Sequence, residues 1–183
     1  MVGLQGLVHL AATNNLEGAR TFAAANGGYL LEDAREPWEH LPFRGLLVVA
    51  TDEIEAVAEL ADVGHYLGAE RLIKEGPMEV AGLFPMVHRS DRTRAEADGH
   101  WRDVHAPLAL EHHRAMSHYT QLAVLHRISG AEFNGFAVCA FMSEDDLRER
   151  FYSLPDSVEV IARDIRNFAD TRRSPRRLVV RRA

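Results

Sequence analysis

The stretch from Asp98 to Gln121 combines groups that transfer protons with large aromatic surface. Its chemically capable side chains are His100, Trp101, His105, Tyr119 and Gln121. A histidine titrates at about pH 6.5, so a small change of environment makes it an acid or a base near neutral pH. Tyr119 and Gln121 are two positions apart on a predicted strand and point to the same side, whereas His118 points to the other. Only one of these two sets can face a pocket, and the candidate catalytic residues are His100, His105 and Tyr119.

The same region supplies candidates for a ligand-binding wall. They are Trp101, Gln121, His88, Phe84 and Met86. Each type of residue has a structural alternative. A large ring near a helix–sheet junction commonly packs in the core, and either candidate histidine could bond to a backbone carbonyl instead of a ligand. The adjacent His112 and His113 point apart on a helix, and we predict that both are solvated.

The spacing of the two candidate histidines argues against a metal site. His100 and His105 are five residues apart, which is about 140° around a straight α-helix. They share a metal only if the helix breaks between them. Cys139 is the single cysteine and is predicted to be a small apolar core residue. Because the sequence also lacks a Gly-rich phosphate loop and a nucleophile elbow, we expect no metal and no cofactor.

Composition limits the classes of protein and partner. The chain has 183 residues, of which 46% are apolar, and it contains no run of eighteen apolar residues. We expect no membrane span and, without a basic and apolar leader, no signal peptide. The formal net charge of −6 does not favour nucleic acid as a partner. A single cysteine fits a reducing compartment, so we predict a cytoplasmic protein.

The periodicity of apolar residues predicts the elements that position these side chains. In the first half, strands are predicted at 4–12, 28–31, 45–50 and, weakly, 71–74. Helices follow a capping box at Asn14 and Glu17 and a start at Thr51, and 32–43 is predicted to be a loop containing Trp38. In the second half, strands are predicted at 80–87, 117–127, 134–141 and 177–180. Helices are predicted at 90–113, bent near Pro107, and from Ser143 onward with a restart at Pro155.

Both halves have the order βαββαβ, which indicates internal duplication. We place the boundary near Glu75, giving a degenerate ferredoxin-like half at 1–76 and a second ferredoxin-like half at 77–183. A single unit of this kind leaves one sheet face open and apolar, and two sheets facing each other bury it. The predicted fold class is therefore α+β, with two tandem ferredoxin-like units forming a dimeric α/β barrel within one chain.

Residues 80–183 resemble the EthD-like family of the dimeric α/β-barrel superfamily. The matching positions are His100-Trp101, His105-Ala106-Pro107-Leu108, Tyr119-x-Gln121, Asn134-Gly135 and Asp164-x3-Phe168. The resemblance implies a site for small hydrophobic ketones, phenols or lactones inside the barrel. It also implies cofactor-free cyclase, dehydratase, isomerase or oxygenase chemistry. Family members commonly have one unit and dimerise, so this chain would be a pseudo-dimer that could itself form a homodimer.

Residues and resemblance together favour a cofactor-independent acid–base enzyme of the dehydratase, cyclase or isomerase type. A desolvated histidine would remove a proton next to a carbonyl, and Tyr119 would bind the developing enolate oxygen. The alternatives are a cofactor-free monooxygenase and a non-catalytic protein that binds small molecules. A haem or metal protein ranks behind these.

Overall fold

A computed structural model describes residues 3–33, 35 and 41–183 of the chain. The predicted loop position Trp38 lies outside the described residues. Within the described ranges, no helix has the length and apolar character needed to cross a membrane.

The first half alternates strands and short helices in the predicted order. Its elements are β1 (Gly3–Thr13), α1 (Leu16–Asn26), β2 (Tyr29–Asp33), β3 (Gly45–Val49), α2 (Ile54–Leu60) and β4 (Gly64–Lys74). The cap of α1 differs by one residue from the prediction. The Asn15 side chain accepts a hydrogen bond from Gly18 N at 3.1 Å, whereas Asn14 binds Asp62.

The second half repeats this order with a longer helical segment. Its elements are β5 (Val80–Met86), α3 (Arg94–His100), a π-helical segment (Trp101–His105), α4 (Ala106–His112), β6 (His118–Gly130), β7 (Gly135–Phe141), α5 (Glu144–Glu149), α6 (Ser157–Ile165) and β8 (Leu178–Arg182). The helix predicted at 90–113 begins with a capping box, because Thr93 and Glu96 bind each other's backbone N–H groups at the start of α3. Ser143 caps α5 by accepting from Asp146 N.

The eight strands form one closed antiparallel barrel in the order β1-β3-β2-β8-β5-β7-β6-β4. Each half contributes four neighbouring strands in the ferredoxin-like arrangement. The halves join along two seams, where β4 pairs with β6 and β2 pairs with β8. The predicted α+β barrel within one chain is therefore confirmed. The predicted boundary at residue 76 falls between β4 and β5, and the division of the chain into two halves there stays a prediction.

Alternation along the strands divides the apolar residues between two sides of the barrel wall. Side chains of both halves fill the interior, among them Leu10, Val48, Tyr66, Phe136 and Val138. The alternate positions point outward and are covered by helices. Apolar side chains therefore pack in the barrel interior, and the expectation of a ligand there stays a prediction.

The strand β4 is much longer than predicted. It runs from Gly64 to Lys74 and pairs on both sides, with β1 and with β6. Its sequence contains glycines and charged residues, which are weak strand formers. Pairing on both edges at the seam between the halves overrides this local preference.

Candidate functional site

A π-helical turn brings His100 and His105 to the same side of their helix. Between Trp101 and His105 the backbone adopts an i→i+5 pattern, and the Ala106 N–H donates to the Trp101 carbonyl. Pro107 follows at the start of α4 and has no N–H to donate to the preceding turn. The extra residue in the turn removes the angular separation expected for a straight helix. The predicted divergence of the two histidines is therefore wrong.

Both histidines bind one carboxylate. His100 Nε2 lies 2.7 Å from Asp164 Oδ1, and His105 Nδ1 lies 2.7 Å from Asp164 Oδ2. Burial alone would raise the pKa of Asp164, but the hydrogen bonds from the two imidazoles outweigh it and the pKa lies below its ordinary value. An ionised carboxylate only accepts hydrogen bonds, so both bonded ring nitrogens carry protons. The ring of Phe168, one turn beyond Asp164, packs against both imidazoles.

A cavity of about 220 Å³ lies between the outer face of the second-half sheet and the helices that cover it. Its wall is mostly apolar and aromatic. The residues that bear on function are Phe84, Met86, Trp101, His105, His113, Tyr119, Cys139, Phe151, Tyr152 and Phe168. None of the residues that line this cavity is Lys, Arg, Asp or Glu. The cavity is therefore suited to a neutral, largely apolar molecule.

His105 presents one free nitrogen to this cavity. Its Nδ1 is fixed as the donor to Asp164, so Nε2 is the ring nitrogen that remains for a ligand. A carboxylate bonded to the far nitrogen fixes the tautomer and stabilises the imidazolium that forms when Nε2 takes a proton. This arrangement would allow His105 to act as a general base.

Tyr119 presents a hydroxyl group that keeps its proton. Gln121 Nε2 donates to the Trp101 carbonyl and to the Tyr119 hydroxyl, each at 3.0 Å. Because a carbonyl oxygen can only accept, the Gln121 amide orientation is fixed and the Tyr119 oxygen must be an acceptor. Burial raises the pKa of Tyr119 above its ordinary value. The phenol is therefore neutral at pH 7, with a proton available to a ligand oxygen.

Trp101 forms part of the wall because its neighbours leave room for the indole ring. A Cβ atom built at Gly135 would lie 2.7 Å from the ring, so only glycine fits there. On another side the Arg71 guanidinium lies 5.2 Å from the ring centroid, a cation–π contact. Arg71 also forms a bidentate ion pair with Asp98 at 2.6 and 3.1 Å. The indole is only 1% exposed and serves both core and cavity.

The predicted site residues separate into two groups. The cavity is lined by His105, Tyr119, Trp101, Phe84 and Met86. Outside its lining are His100, Gln121 and His88. His100 binds Asp164, the partner of His105, and Gln121 binds Tyr119. His88 donates its backbone N–H to Asn134, and its Nε2 is buried without a partner among the described residues. The catalytic and binding roles of all eight stay predictions.

Two functional groups lay outside the sequence prediction. Asp164 belonged to the family resemblance as a position, but no local pattern indicated that it binds two histidines. His113 was predicted to be solvated, yet it is 3% exposed and lines the cavity. His112 is also buried, and its Nδ1 lies 2.9 Å from Ser157 Oγ. Both predictions of solvated histidines are therefore wrong.

Cys139 lies on the cavity wall as an inert group. Burial raises the pKa of its thiol to about 12, so the nucleophilic thiolate is absent at neutral pH. Among the described residues, no group of three or more His, Cys, Asp or Glu is arranged to hold a metal ion.

Comparisons with known proteins show the fold. No protein-family model matches the sequence, and no curated protein matches it. A structure from Lactobacillus acidophilus NCFM, described as a monooxygenase, has 9% identity and a TM-score of 0.52, covering 96% of this chain and 92% of that one. A structure described as an anthrone oxidase-like protein has 10% identity and a TM-score of 0.56, covering 97% and 90%. Likeness at these identities shows a shared architecture, and the EthD-like resemblance is not confirmed beyond it.

Proposed function

We propose that this protein is an enzyme that acts by general acid–base chemistry, without a cofactor, on a small hydrophobic ketone or aromatic compound. The main support is the 2.7 Å contact between His105 Nδ1 and Asp164 Oδ2 at the wall of an apolar cavity. A base in such a place is desolvated, oriented and able to stabilise the charge that it gains. Dehydration, cyclisation and isomerisation all begin with the proton transfer that this pair would perform.

In the proposed reaction the ligand carbonyl accepts a hydrogen bond from Tyr119. His105 Nε2 removes a proton from the carbon next to that carbonyl, and the electron pair moves onto the carbonyl oxygen as an enolate. The Tyr119 hydroxyl stabilises this oxygen, and Asp164 stabilises the imidazolium. Return of the proton at another carbon completes an isomerisation, and transfer to a departing β-hydroxyl completes a dehydration. Attack of the enolate on a second carbonyl of the same molecule forms a carbon–carbon bond, and transfer of the proton from His105 to the new alkoxide completes a cyclisation.

The descriptions of the two structural neighbours favour a second candidate. A cofactor-free monooxygenase would use His105 to form the same carbanion, which would then react with O2. We also propose a distant relationship to EthD-like proteins. Its support is that the residues of the shared pattern contact one another: His100 and His105 bind Asp164, Trp101 packs on Gly135, and Gln121 binds Tyr119.

Exchange of α-protons tests the base without knowledge of the natural substrate. 2-Tetralone, a two-ring ketone with acidic α-protons, is incubated with the protein in buffered D2O and followed by proton NMR. General-base catalysis contributes about 10² to 10⁴ in rate, so the wild-type protein should exchange these protons well above buffer. His105→Asn should abolish this excess, and Tyr119→Phe should reduce it roughly 10²-fold as for one oxyanion-stabilising donor.

The matched control is His126→Asn, because His126 is an exposed histidine on β6, away from the cavity lining. It should exchange at the wild-type rate. A wild-type protein that binds 2-tetralone but exchanges no faster than buffer contradicts the proposed chemistry. That outcome favours the alternative of a non-catalytic binding protein.

A further inference from the structure

The cavity contains a second imidazole whose partner differs from that of His105. His113 follows α4, and its Nδ1 lies 2.6 Å from the Phe151 carbonyl oxygen. A carbonyl can only accept, so Nδ1 carries the proton. Burial lowers the pKa of His113 to about 4, and the ring is neutral at pH 7. Its Nε2 is therefore a hydrogen-bond acceptor.

The position of the ring leaves this acceptor to a ligand. The rings of Phe151 and Tyr152 flank His113, with centroids at 4.4 and 5.3 Å. His113 lines the cavity, and within the described part of the chain its Nε2 has no hydrogen-bond partner. Because this nitrogen is not among the sealed, unpartnered polar atoms of the described residues, it is accessible from the cavity. A molecule that brings a donor to it can form a hydrogen bond there.

The two imidazoles differ in what they can do with a proton. His105 has a carboxylate behind it, which stabilises a positive charge, whereas His113 has a neutral carbonyl. His113 is thus suited to accept a hydrogen bond without taking the proton. Since the cavity wall contains no charged side chain, the matching donor is a neutral hydroxyl.

Cavity size limits the rest of the ligand. An engineered apolar cavity of about 150 Å³ holds benzene, and the cavity here is about 220 Å³. Aromatic rings form much of its wall, including Phe84, Phe151 and Phe168. Such a space suits one or two fused rings.

We propose that a hydroxyl of a one- or two-ring ligand donates a hydrogen bond to His113 Nε2. This inference rests on the proposed function only in placing the reacting carbonyl beside His105. His113 is a specificity-determining residue in this assignment. It distinguishes a hydroxylated ring from one of the same size without the hydroxyl.

Two probes of equal shape test the inference by isothermal titration calorimetry at pH 7. They are 4-ethylphenol and 4-ethyltoluene, in which a methyl group replaces the hydroxyl. Wild-type protein should bind the phenol at least tenfold more tightly. His113→Phe keeps an aromatic ring without the acceptor and should lose that preference while binding 4-ethyltoluene at least as well. His113→Gln, which retains a donor and an acceptor, should keep part of it.

The remaining variants separate this inference from the proposed chemistry. Equal affinity of wild-type protein for both probes contradicts the role of His113. So does a preference that persists in His113→Phe and disappears in His105→Asn, because the hydroxyl would then bind to the base. A phenol preference that depends on His113, together with no α-proton exchange of 2-tetralone, supports the ligand class and contradicts the catalytic proposal. His126→Asn should leave both affinities unchanged.

Discussion

Acidification should destabilise the fold through His113 before most carboxylates titrate. Burial lowers the pKa of His113 from 6.5 to about 4. Between these two values the unfolded chain binds a proton at this position and the folded chain does not. Stability is therefore fully present above about pH 6.5 and decreases as the pH falls toward 4.

The magnitude follows from the pKa difference. One pKa unit corresponds to about 1.36 kcal/mol, so the full effect below pH 4 is about 3 kcal/mol. Between pH 7 and pH 5 the same linkage gives a loss of about 2 kcal/mol from this residue alone. For a domain of this size, that is a decrease in Tm of roughly 4 to 8 °C.

Urea denaturation at pH 7 and pH 5, followed by circular dichroism, measures this loss. The pKa values of His65 and His88 are also lowered by burial, so wild-type protein alone does not isolate His113. The informative comparison is the change in unfolding free energy from pH 7 to pH 5. This decrease should be about 2 kcal/mol smaller in His113→Gln than in wild-type protein. His126→Gln, at an exposed position, should retain the wild-type dependence. Equal pH dependence in wild-type protein and His113→Gln would refute the assignment of a buried neutral imidazole.

Four further changes have defined outcomes. Asp164→Asn leaves one acceptor for two imidazole N–H groups and should lower the free energy of unfolding, measured in urea, by about 2 to 4 kcal/mol. Because the pKa of Asp164 is lowered, wild-type protein loses stability as acid protonates this carboxylate, and the variant should lack that loss. Gly135→Ala should cost about 1 to 3 kcal/mol through overpacking of the indole ring. Gly99→Ala, where a Cβ meets nothing within 4 Å, should be neutral or stabilise the helix. Residues 1–76 and 77–183 expressed separately should be insoluble and should assemble when co-expressed, since each would expose an apolar barrel wall; a stable, monomeric 77–183 fragment would contradict this.

The order of elements could be predicted because local patterns define most of them. The strands β5 and β7 are apolar runs, and the capping box at Thr93 fixes the start of α3. β4 could not be predicted in full because its stability comes from partners distant in sequence. The Tyr66 hydroxyl donates to the Ala131 carbonyl across the seam, and Arg71 pairs with Asp98 on the helix of the other half.

The site could be predicted by residue but not by geometry. Periodicity put Tyr119 and His118 on opposite faces without deciding which face lines a cavity. The family pattern included both His100 and His105, but a helix of normal pitch would point them apart. One additional residue in a helical turn changes that relation, and Pro107 alone does not reveal where it is inserted. His113 carried no local signal, since its burial comes from Phe151, 38 positions later in the chain.

The two halves of the barrel differ in how their helices meet the sheet. In the first half, small residues such as Ala19 and Ala23 of α1 pack directly on Leu47 and Val49. Small side chains allow close approach of the backbone, which leaves little space between the layers. In the second half, the rings of Trp101, Phe151 and Phe168 hold the helices away from the sheet and enclose the cavity.

The first half nevertheless contributes to the site across the β4–β6 seam. Arg71 lies directly opposite Gln121 in the strand register, so the two side chains emerge on the same face of the sheet. Its guanidinium is 3% exposed, contacts the indole of Trp101 and pairs with Asp98. Gln121 in turn orients Tyr119. The wall that presents the proposed hydrogen-bond donor is therefore built from both halves, which gives a physical reason for keeping a first half that is itself closely packed.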